Sequence, residues 1–329
     1  MIDPSAPADI IALAEERSRA RTERDYERAD ELKSRLEAAG WRVIDEGAAF
    51  SLEPAATADT VEDGHTVYGS IDSVPRRSEV AAMTASVIVI DPTMPDAALQ
   101  ALATHRPTDT QIVVVAARSV SLEGPADEIV RTVEPWSAGD ALEAGIRRAA
   151  GTIIIVLDPG RVPTGDVVGP LVDALADPGV AVAGNEGLAS GDLHRYEALS
   201  ASEVTTIASG CYAFRRDDVL ARGPVDGRLR LARSVAVWLG LVLRDEGPDT
   251  SPRRALVVDL PLLATEENAG DHDQARAARR DGYRISDRFR GHTWLGREQP
   301  PEGRVVGDGT EDHGHGDEAD QGTHTGIAD

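Results

Sequence analysis

Apolar positions in the first forty residues recur at helical spacing, with charged residues between them. The first helix is marked by Ile10, Ile11, Leu13 and Ala14, and the second by Tyr26, Ala29, Leu32 and Leu36. Thr22 and Asp25 have the spacing of a capping box before the second helix, and Gly40 suits its C′ position. The pattern predicts a helical hairpin over residues 5–40, then a small β-hairpin that pairs residues 41–45 with 49–52.

From about residue 82 the pattern changes to short apolar runs that alternate with helical periods. It predicts strands at 86–90, 111–116, 129–133, 152–157 and 180–183, and helices at 96–105, 140–150 and 167–176. This alternation is typical of an α/β fold, with a mostly parallel sheet and helices on both faces.

Two stretches lack a sustained period. Residues 54–78 are rich in Pro, Ala, Asp, Ser and Thr, which predicts a linker. Residues 299–329 carry eight acids, one arginine and almost no apolar side chains, which predicts a disordered acidic tail. The predicted domains are therefore a hairpin module at 1–53, a linker at 54–78, an α/β domain at 79–298 and the tail.

Composition excludes several classes of function. The formal net charge of −23 argues against unspecific binding to nucleic acid or anionic lipid. The single cysteine, Cys211, excludes an internal disulfide and argues against a cysteine zinc site. No apolar run approaches the ~20 residues that span a bilayer, and the first residues do not resemble a signal peptide. We therefore expect a cytoplasmic protein without a membrane span.

The candidate chemistry centres on residues 149–163, AAGTIIIVLDPGRVP. Asp158 follows an apolar strand at its carboxyl end, which is where ligands bind in open α/β sheets. The segment resembles the centre of glycosyltransferase family 2 domains, in which the strand ends in Asp-x-Asp. Here the triplet is Asp158-Pro159-Gly160, so glycine replaces the second acid.

Three further segments resemble the same family in order and spacing: 84–102, 208–226 and 233–247. The resemblance covers residues 85–292 and implies a GT-A fold of the nucleotide-diphospho-sugar transferase type, with Mn²⁺ or Mg²⁺ if the protein is active. It implies that Asp158 holds the metal and contacts the nucleotide-sugar. Arg215 and Arg216 are candidates to clamp its phosphates, and Asp226 is a candidate acid in the acceptor pocket.

Other positions depart from the family pattern. No acid follows the second strand at 116–119, where family members contact the nucleotide base. Ala236 stands where the family places the catalytic base, between Arg233 and Trp238. Near the expected metal-binding histidine the chain has Thr265 and Glu266, and His272 comes several residues later. Since general-base catalysis is worth about 10²–10⁴-fold, these changes predict severe loss of turnover.

Each candidate also has a structural interpretation. Asp158 could cap the turn into Val162–Pro163, and Asp226 follows Gly-Pro-Val, where turn acids are common. Arg215 and Arg216 could be the solvated end of a strand. Cys211 is interpreted as a small core residue.

Residues 25–50, DYERADELKSRLEAAGWRVIDEGAAF, resemble the C-terminal tail of cysteinyl-tRNA synthetases. A similar helical motif occurs in excision-repair proteins, and none of the synthetase's catalytic signatures is present. The other interpretation is an amphipathic hairpin that packs or binds a protein partner.

Three hypotheses result. The first is a glycosyltransferase family 2-like protein with reduced or lost transfer activity that acts as a nucleotide-sugar binding or scaffold protein. The second is an active inverting transferase with a rearranged site built from Asp158, Asp226 and Glu266 or Glu267. The third is a tRNA- or translation-linked accessory protein, although the net charge disfavours nucleic acid.

Overall fold

The computed structural model describes residues 6–46, 49–54, 57–77, 83–90, 96–122, 124–264 and 272–296. The chain divides into a compact unit, residues 1–298, and a second unit, residues 299–329, which lies outside the described residues. The predicted acidic tail therefore stays a prediction. In the described part, no helix combines the length and the apolar character needed to cross a membrane.

The N-terminal module forms the predicted helical hairpin and β-hairpin. Its elements are α1 (Ala8–Thr22), α2 (Tyr26–Ala38), β1 (Trp41–Glu46) and β2 (Ala49–Pro54). The two strands pair antiparallel, from Trp41 opposite Pro54 to Glu46 opposite Ala49. The buried residues Ile10, Ala14, Leu36 and Leu52 form a small core of their own.

The predicted capping box at Thr22 is wrong. Helix α1 continues through Thr22, whose hydroxyl donates to the Ser18 carbonyl at 3.0 Å. Arg24 then turns the chain with φ of 63°, and Asp25 itself caps α2 by accepting from the Arg28 amide at 3.1 Å. Gly40 follows α2 with φ of 79°, as its predicted C′ position requires.

The rest of the described chain builds one large sheet and its helices. The first elements are β3 (Thr60–Glu62), β4 (His65–Tyr68), β5 (Met83–Ile90), α3 (Asp96–His105), β6 (Thr110–Ala117), β7 (Glu128–Thr132), α4 (Ala138–Arg148) and β8 (Gly151–Leu157). The next are β9 (Arg161–Pro163), α5 (Val168–Ala174), β10 (Val180–Gly184), β11 (Gly187–Ala189), β12 (Glu197–Ala198), β13 (Glu203–Val204), β14 (Thr206–Ile207) and β15 (Cys211–Arg215). The last are α6 (Arg216–Arg222), α7 (Ala232–Arg244), β16 (Arg254–Val257), β17 (Leu262–Ala264) and α8 (His272–Arg288).

The large sheet has ten strands in the order β13-β16-β10-β15-β8-β5-β6-β7-β4-β3. Strands β16, β10, β8, β5, β6, β7 and β4 run in one direction, whereas β13, β15 and β3 oppose them. This confirms the predicted α/β class with a mostly parallel sheet.

Helices cover both faces of the sheet, which explains why its strands read as continuous apolar runs. On one face Leu142 of α4, Leu239 of α7 and Ile285 of α8 belong to the same core as Ile88 and Ile154. On the other face Leu99 of α3 and Leu171 of α5 belong to a second core with Val87 and Ile155.

Residues 60–62 and 65–68, within the segment 54–78 that was expected to be a linker, are instead strands of the sheet. Strand β4 pairs parallel with β7 and antiparallel with β3. Helix α4 fixes the following residues, because Arg147 Nη1 donates to the carbonyls of Ile71 and Val74 at 2.6 and 3.2 Å. Backbone pairing with β7, the bonds from Arg147 and the buried side chains of Val67 and Val74 hold this segment, so its polar composition was misleading.

We predict that Glu143→Ala lowers the free energy of unfolding by about 2–4 kcal/mol, because it leaves Arg147 partly buried without its charge partner. Glu143 is buried and pairs with Arg76 at 2.6 Å and Arg147 at 3.2 Å. Urea unfolding measures the change. The matched control Asp287→Ala removes an exposed pair with Arg290 and should cost less than about 1 kcal/mol. If both substitutions lowered the free energy of unfolding equally, Glu143 would not anchor residues 71–76 to α4 as we infer.

We also predict that Leu36→Ala loosens the N-terminal module alone. Leu36 is fully buried in the small core, and such truncations cost about 2–5 kcal/mol. Native-state hydrogen exchange should quicken in residues 8–52 while β5, β6 and β8 keep their protection. Simultaneous loss of protection in both regions would show that residues 1–53 are not a separate module. Leu220→Ala, at a half-exposed side chain, is the control.

Candidate functional site

The candidate site lies at the carboxyl edge of the sheet, where the strand order reverses. From β5 the chain proceeds to β6 and β7 on one side, whereas β8 lies on the other side of β5 and leads to β10. Ligands of open α/β sheets bind in the crevice outside such a switch point. Asp158 follows β8 directly and therefore lies beside this switch point.

Asp158 organises a tight turn. Its carbonyl accepts from the Arg161 amide at 2.9 Å, and its Oδ1 accepts from the Gly160 amide at 2.9 Å. Its own amide donates to the Gly210 carbonyl at 2.7 Å. One carboxylate oxygen is thus engaged in the turn, as the structural interpretation of Asp158 expected. Its predicted roles toward metal and nucleotide-sugar stay predictions.

Three polar residues that the sequence reasoning missed border Asp158. Arg161 of β9 forms an ion pair with Glu186, which comes two residues after β10. Asn185 contacts Glu186 and the start of β15, since its Nδ2 donates to Glu186 Oε1 at 3.3 Å and its Oδ1 accepts from the Cys211 amide at 2.7 Å. The rule that singled out Asp158, a polar residue just after a buried strand, would also have found Asn185 and Glu186.

Just before the neighbouring strand β15, the backbone of Gly210 lies close to the side chain of Asn185. Gly210 has φ of 143°, and a Cβ there would lie 2.6 Å from Asn185 Oδ1, so only glycine fits. Two residues later Tyr212 is buried. Burial, and then the negative charge of Asp158, raise the pKa of Tyr212, so its hydroxyl stays neutral beside the site.

Strand β17 borders the turn on the other side. It pairs antiparallel with β9, with Ala264 opposite Arg161. Thr265 and Glu266, which the sequence placed near the family's metal-binding position, and Glu267 of the rearranged-site hypothesis follow immediately but lie outside the described residues. His272 begins α8.

Arg215 and Arg216 do not join this site. Arg215 lies opposite Ile153, at the amino edge of β8, and Arg216 starts α6. The Arg215 guanidinium donates to the carbonyls of Val180 at 2.7 Å and Asp177 at 2.6 Å. The predicted phosphate clamp shared with Asp158 is therefore wrong, because β15 runs antiparallel to β8 and carries its far end away from the site.

Asp226 reaches the carboxyl edge but is already held. It lies at the start of α4, where a Cβ on Gly139 would meet its carbonyl oxygen at 2.2 Å. Arg228 Nε donates to Oδ1 at 2.9 Å, and Arg228 Nη2 donates to Oδ2 at 3.0 Å. Burial opposes ionisation, but these bonds outweigh it and lower the pKa of Asp226. A carboxylate stabilised in this way is a weak base.

The expected base position is part of the core. Ala236 is 1% exposed in α7, whereas Arg233 is exposed and Trp238 is half-buried. After β6, where the family pattern expects an acid, Arg118 pairs at 3.1 Å with Glu62 of β3. An acid therefore reaches this end of the sheet from a distant part of the chain.

The described donors do not fit a divalent cation. Within the described ranges, no group of three or more His, Cys, Asp and Glu side chains could hold a metal ion. Hard cations such as Mg²⁺ and Mn²⁺ need several oxygen ligands. Three residues after Asp158 the chain instead carries Arg161, whose guanidinium pairs with Glu186.

An open depression of about 580 Å³ lies at the opposite edge, between α6 and the end of α7. Its charged side chains pair with one another: Arg222 with Glu246 at 2.8 Å and Arg253 with Asp218 at 2.7 Å. It has no connection with Asp158, and we assign it no function.

Known proteins resemble this chain either over a short segment of sequence or over a longer part of the structure at low sequence identity. No protein-family model matches the chain. A segment of 49 residues is 45% identical to part of cysteine–tRNA ligase from Opitutus terrae, and it covers 15% of this chain and 11% of the ligase.

Three solved structures have a similar chain path at low identity. They are GalNAc-T7 with UDP, GalNAc and Mn²⁺ (12% identity, TM-score 0.48), the mannosyltransferase PcManGT from Pyrobaculum calidifontis with GDP-Man and Mn²⁺ (15%, 0.44) and S. aureus TarS (14%, 0.42). The alignments cover 71%, 68% and 60% of this chain. The matched part of this chain covers 51%, 71% and 39% of the lengths of those three proteins, in the same order.

We predict that Cys211 does not react with thiol reagents in the folded protein. Its side chain is fully buried at the start of β15, and burial raises the pKa of its thiol to about 12, so almost no thiolate forms at pH 8. A chromogenic disulfide should label one thiol per chain in urea and none without it. Rapid native labelling would contradict the assignment of Cys211 to the core.

Proposed function

We propose that this chain is a glycosyltransferase-like protein that binds a nucleotide-sugar at the carboxyl edge of its sheet and has little or no transfer activity. It acts as a binding or scaffold protein. The observation that supports the proposal is an acid at the carboxyl edge of the sheet combined with an alanine at the expected base position. Asp158 lies beside the switch point, while the base position, Ala236, is a buried core alanine.

The chemistry of transfer explains why these changes matter. A nucleoside diphosphate leaves only when its charge is neutralised, and the acceptor hydroxyl must lose a proton as it attacks. Glycine at position 160 supplies no carboxylate to bind the metal ion that would neutralise the leaving group. Alanine at position 236 supplies no group to accept the proton of the acceptor hydroxyl. Because the two losses act on different parts of the transition state, we expect their costs to add.

The alternative is an active inverting transferase with a rearranged site of Asp158, Asp226 and Glu266 or Glu267. The location of Asp226 at the carboxyl edge favours it. The bonds from Arg228 to both carboxylate oxygens argue against Asp226 as the base. We therefore rank this alternative second.

The N-terminal module supports the scaffold part of the proposal. A protein partner could bind its surface, on which Tyr26 is 63% exposed. The competing hypothesis is a tRNA-linked role, based on the 49-residue similarity to a cysteine–tRNA ligase. Tight tRNA binding at physiological salt would favour that role, and the net charge of −23 argues against it.

We predict no efficient donor hydrolysis or sugar transfer by the wild type with UDP- or GDP-sugars, with or without Mn²⁺. Asp158→Ala should then change the residual rate little, as should Asp177→Ala at the opposite edge. Product formation measured by chromatography is the readout. Robust metal-dependent turnover that Asp158→Ala abolishes and Asp177→Ala retains would overturn the loss of activity and favour the rearranged site. Ala236→Asp is a poor rescue variant, because it would bury a carboxylate in the core.

A further inference from the structure

We propose that Arg161 binds the diphosphate group of the nucleotide ligand and supplies the positive charge that this site lacks in metal-binding carboxylates. Nucleoside diphosphates then bind without a divalent cation. The inference rests on the proposed function, since it concerns the same crevice and the same class of ligand.

The position of Arg161 supports this role. It comes three residues after Asp158, and its amide closes the Asp158 turn by donating to the Asp158 carbonyl at 2.9 Å. Its backbone is fixed in β9, which pairs with β17. Arg161 is therefore held at the carboxyl edge, the edge at which open α/β sheets bind ligands.

The chemistry of the guanidinium suits a diphosphate. Arginine keeps its charge at every physiological pH and presents parallel N–H donors that match two phosphate oxygens. The Arg161 side chain is 20% exposed, so its charge is partly shielded from water and still reachable. Asp158, by contrast, is one carboxylate with an oxygen engaged by the Gly160 amide.

Glu186 holds this charge in the free protein. Its carboxylate pairs with Arg161 and is 40% exposed, so it is the more accessible partner of the pair. A diphosphate would compete with Glu186 for the guanidinium. Glu186 therefore acts as a replaceable internal anion, and its negative charge also repels the ligand.

Two substitutions that break the same ion pair should have opposite effects. Arg161→Ala removes the phosphate-binding group and should weaken binding about ten- to a hundredfold. Glu186→Gln removes the competing charge and should tighten binding about two- to fivefold. A purely structural pair would shift both variants in the same direction. Arg254→Ala, which breaks an ion pair with Asp177 at the opposite edge, is the matched control and should leave affinity unchanged.

Isothermal titration calorimetry with UDP, GDP, the corresponding monophosphates and inorganic pyrophosphate tests the proposal, in EDTA and in Mn²⁺. Thermal unfolding of each variant checks that it is folded. We expect a diphosphate to bind in EDTA, a monophosphate to bind more weakly, and the two variants to shift affinity in opposite directions. Binding that requires Mn²⁺, or that Arg161→Ala leaves unchanged, overturns the inference and keeps the proposed function. No binding of any nucleotide to the wild type under either condition overturns both.

Discussion

The geometry of the carboxyl edge depends on how the amino end of β8 meets β5 and β6. Ser86 of β5 and Gln111 of β6 are both buried, and the Ser86 hydroxyl donates to Gln111 Oε1 at 2.7 Å. The Gly151 amide donates to Ser86 Oγ at 2.8 Å, and the Ala150 amide donates to Gln111 Oε1 at 2.7 Å. A Cβ on Gly151 would lie 2.3 Å from the backbone of β5. This network satisfies the buried polar groups and fixes the register of three strands, so it sets how far β8 extends before Asp158.

The opposite ends of the same strands carry a charge-balanced surface. Arg161 is paired with Glu186, Asp226 with Arg228, and Arg118 with Glu62. These pairs neutralise Glu186, Asp226 and Glu62 in the free protein. They also determine which groups are available to a ligand. A carboxylate held by a guanidinium is a poor base, whereas a guanidinium held by an exposed carboxylate can exchange one anion for another.

The far side of the sheet is extended by residues that precede its first predicted strand. Strands β3 and β4 add to β7, and α4 holds the next turn through Arg147 and Glu143. This extension also affects the carboxyl edge, because it brings Glu62 of β3 into an ion pair with Arg118 at the end of β6. The chain thus supplies this end of the sheet with an acid that is distant in sequence.

The sequence by itself determined the α/β class, the hairpin of helices and the strands β5, β6, β8 and β10, because their signals are local: apolar runs of strand length, helical periods and a glycine after α2. It also placed Asp158 at a strand end. Tertiary structure alone decided which charged groups meet there. Arg215 lies at the opposite edge from Asp158 because β15 runs antiparallel to β8, and the periodicity of the sequence does not encode strand direction. Arg161 and Glu186 came together from two strand ends that are 25 residues apart. The segment at 60–77 joined the sheet because β4 pairs with β7 and Arg147 of α4 holds the carbonyls of Ile71 and Val74, and such contacts with a distant part of the chain leave no repeating pattern in the sequence.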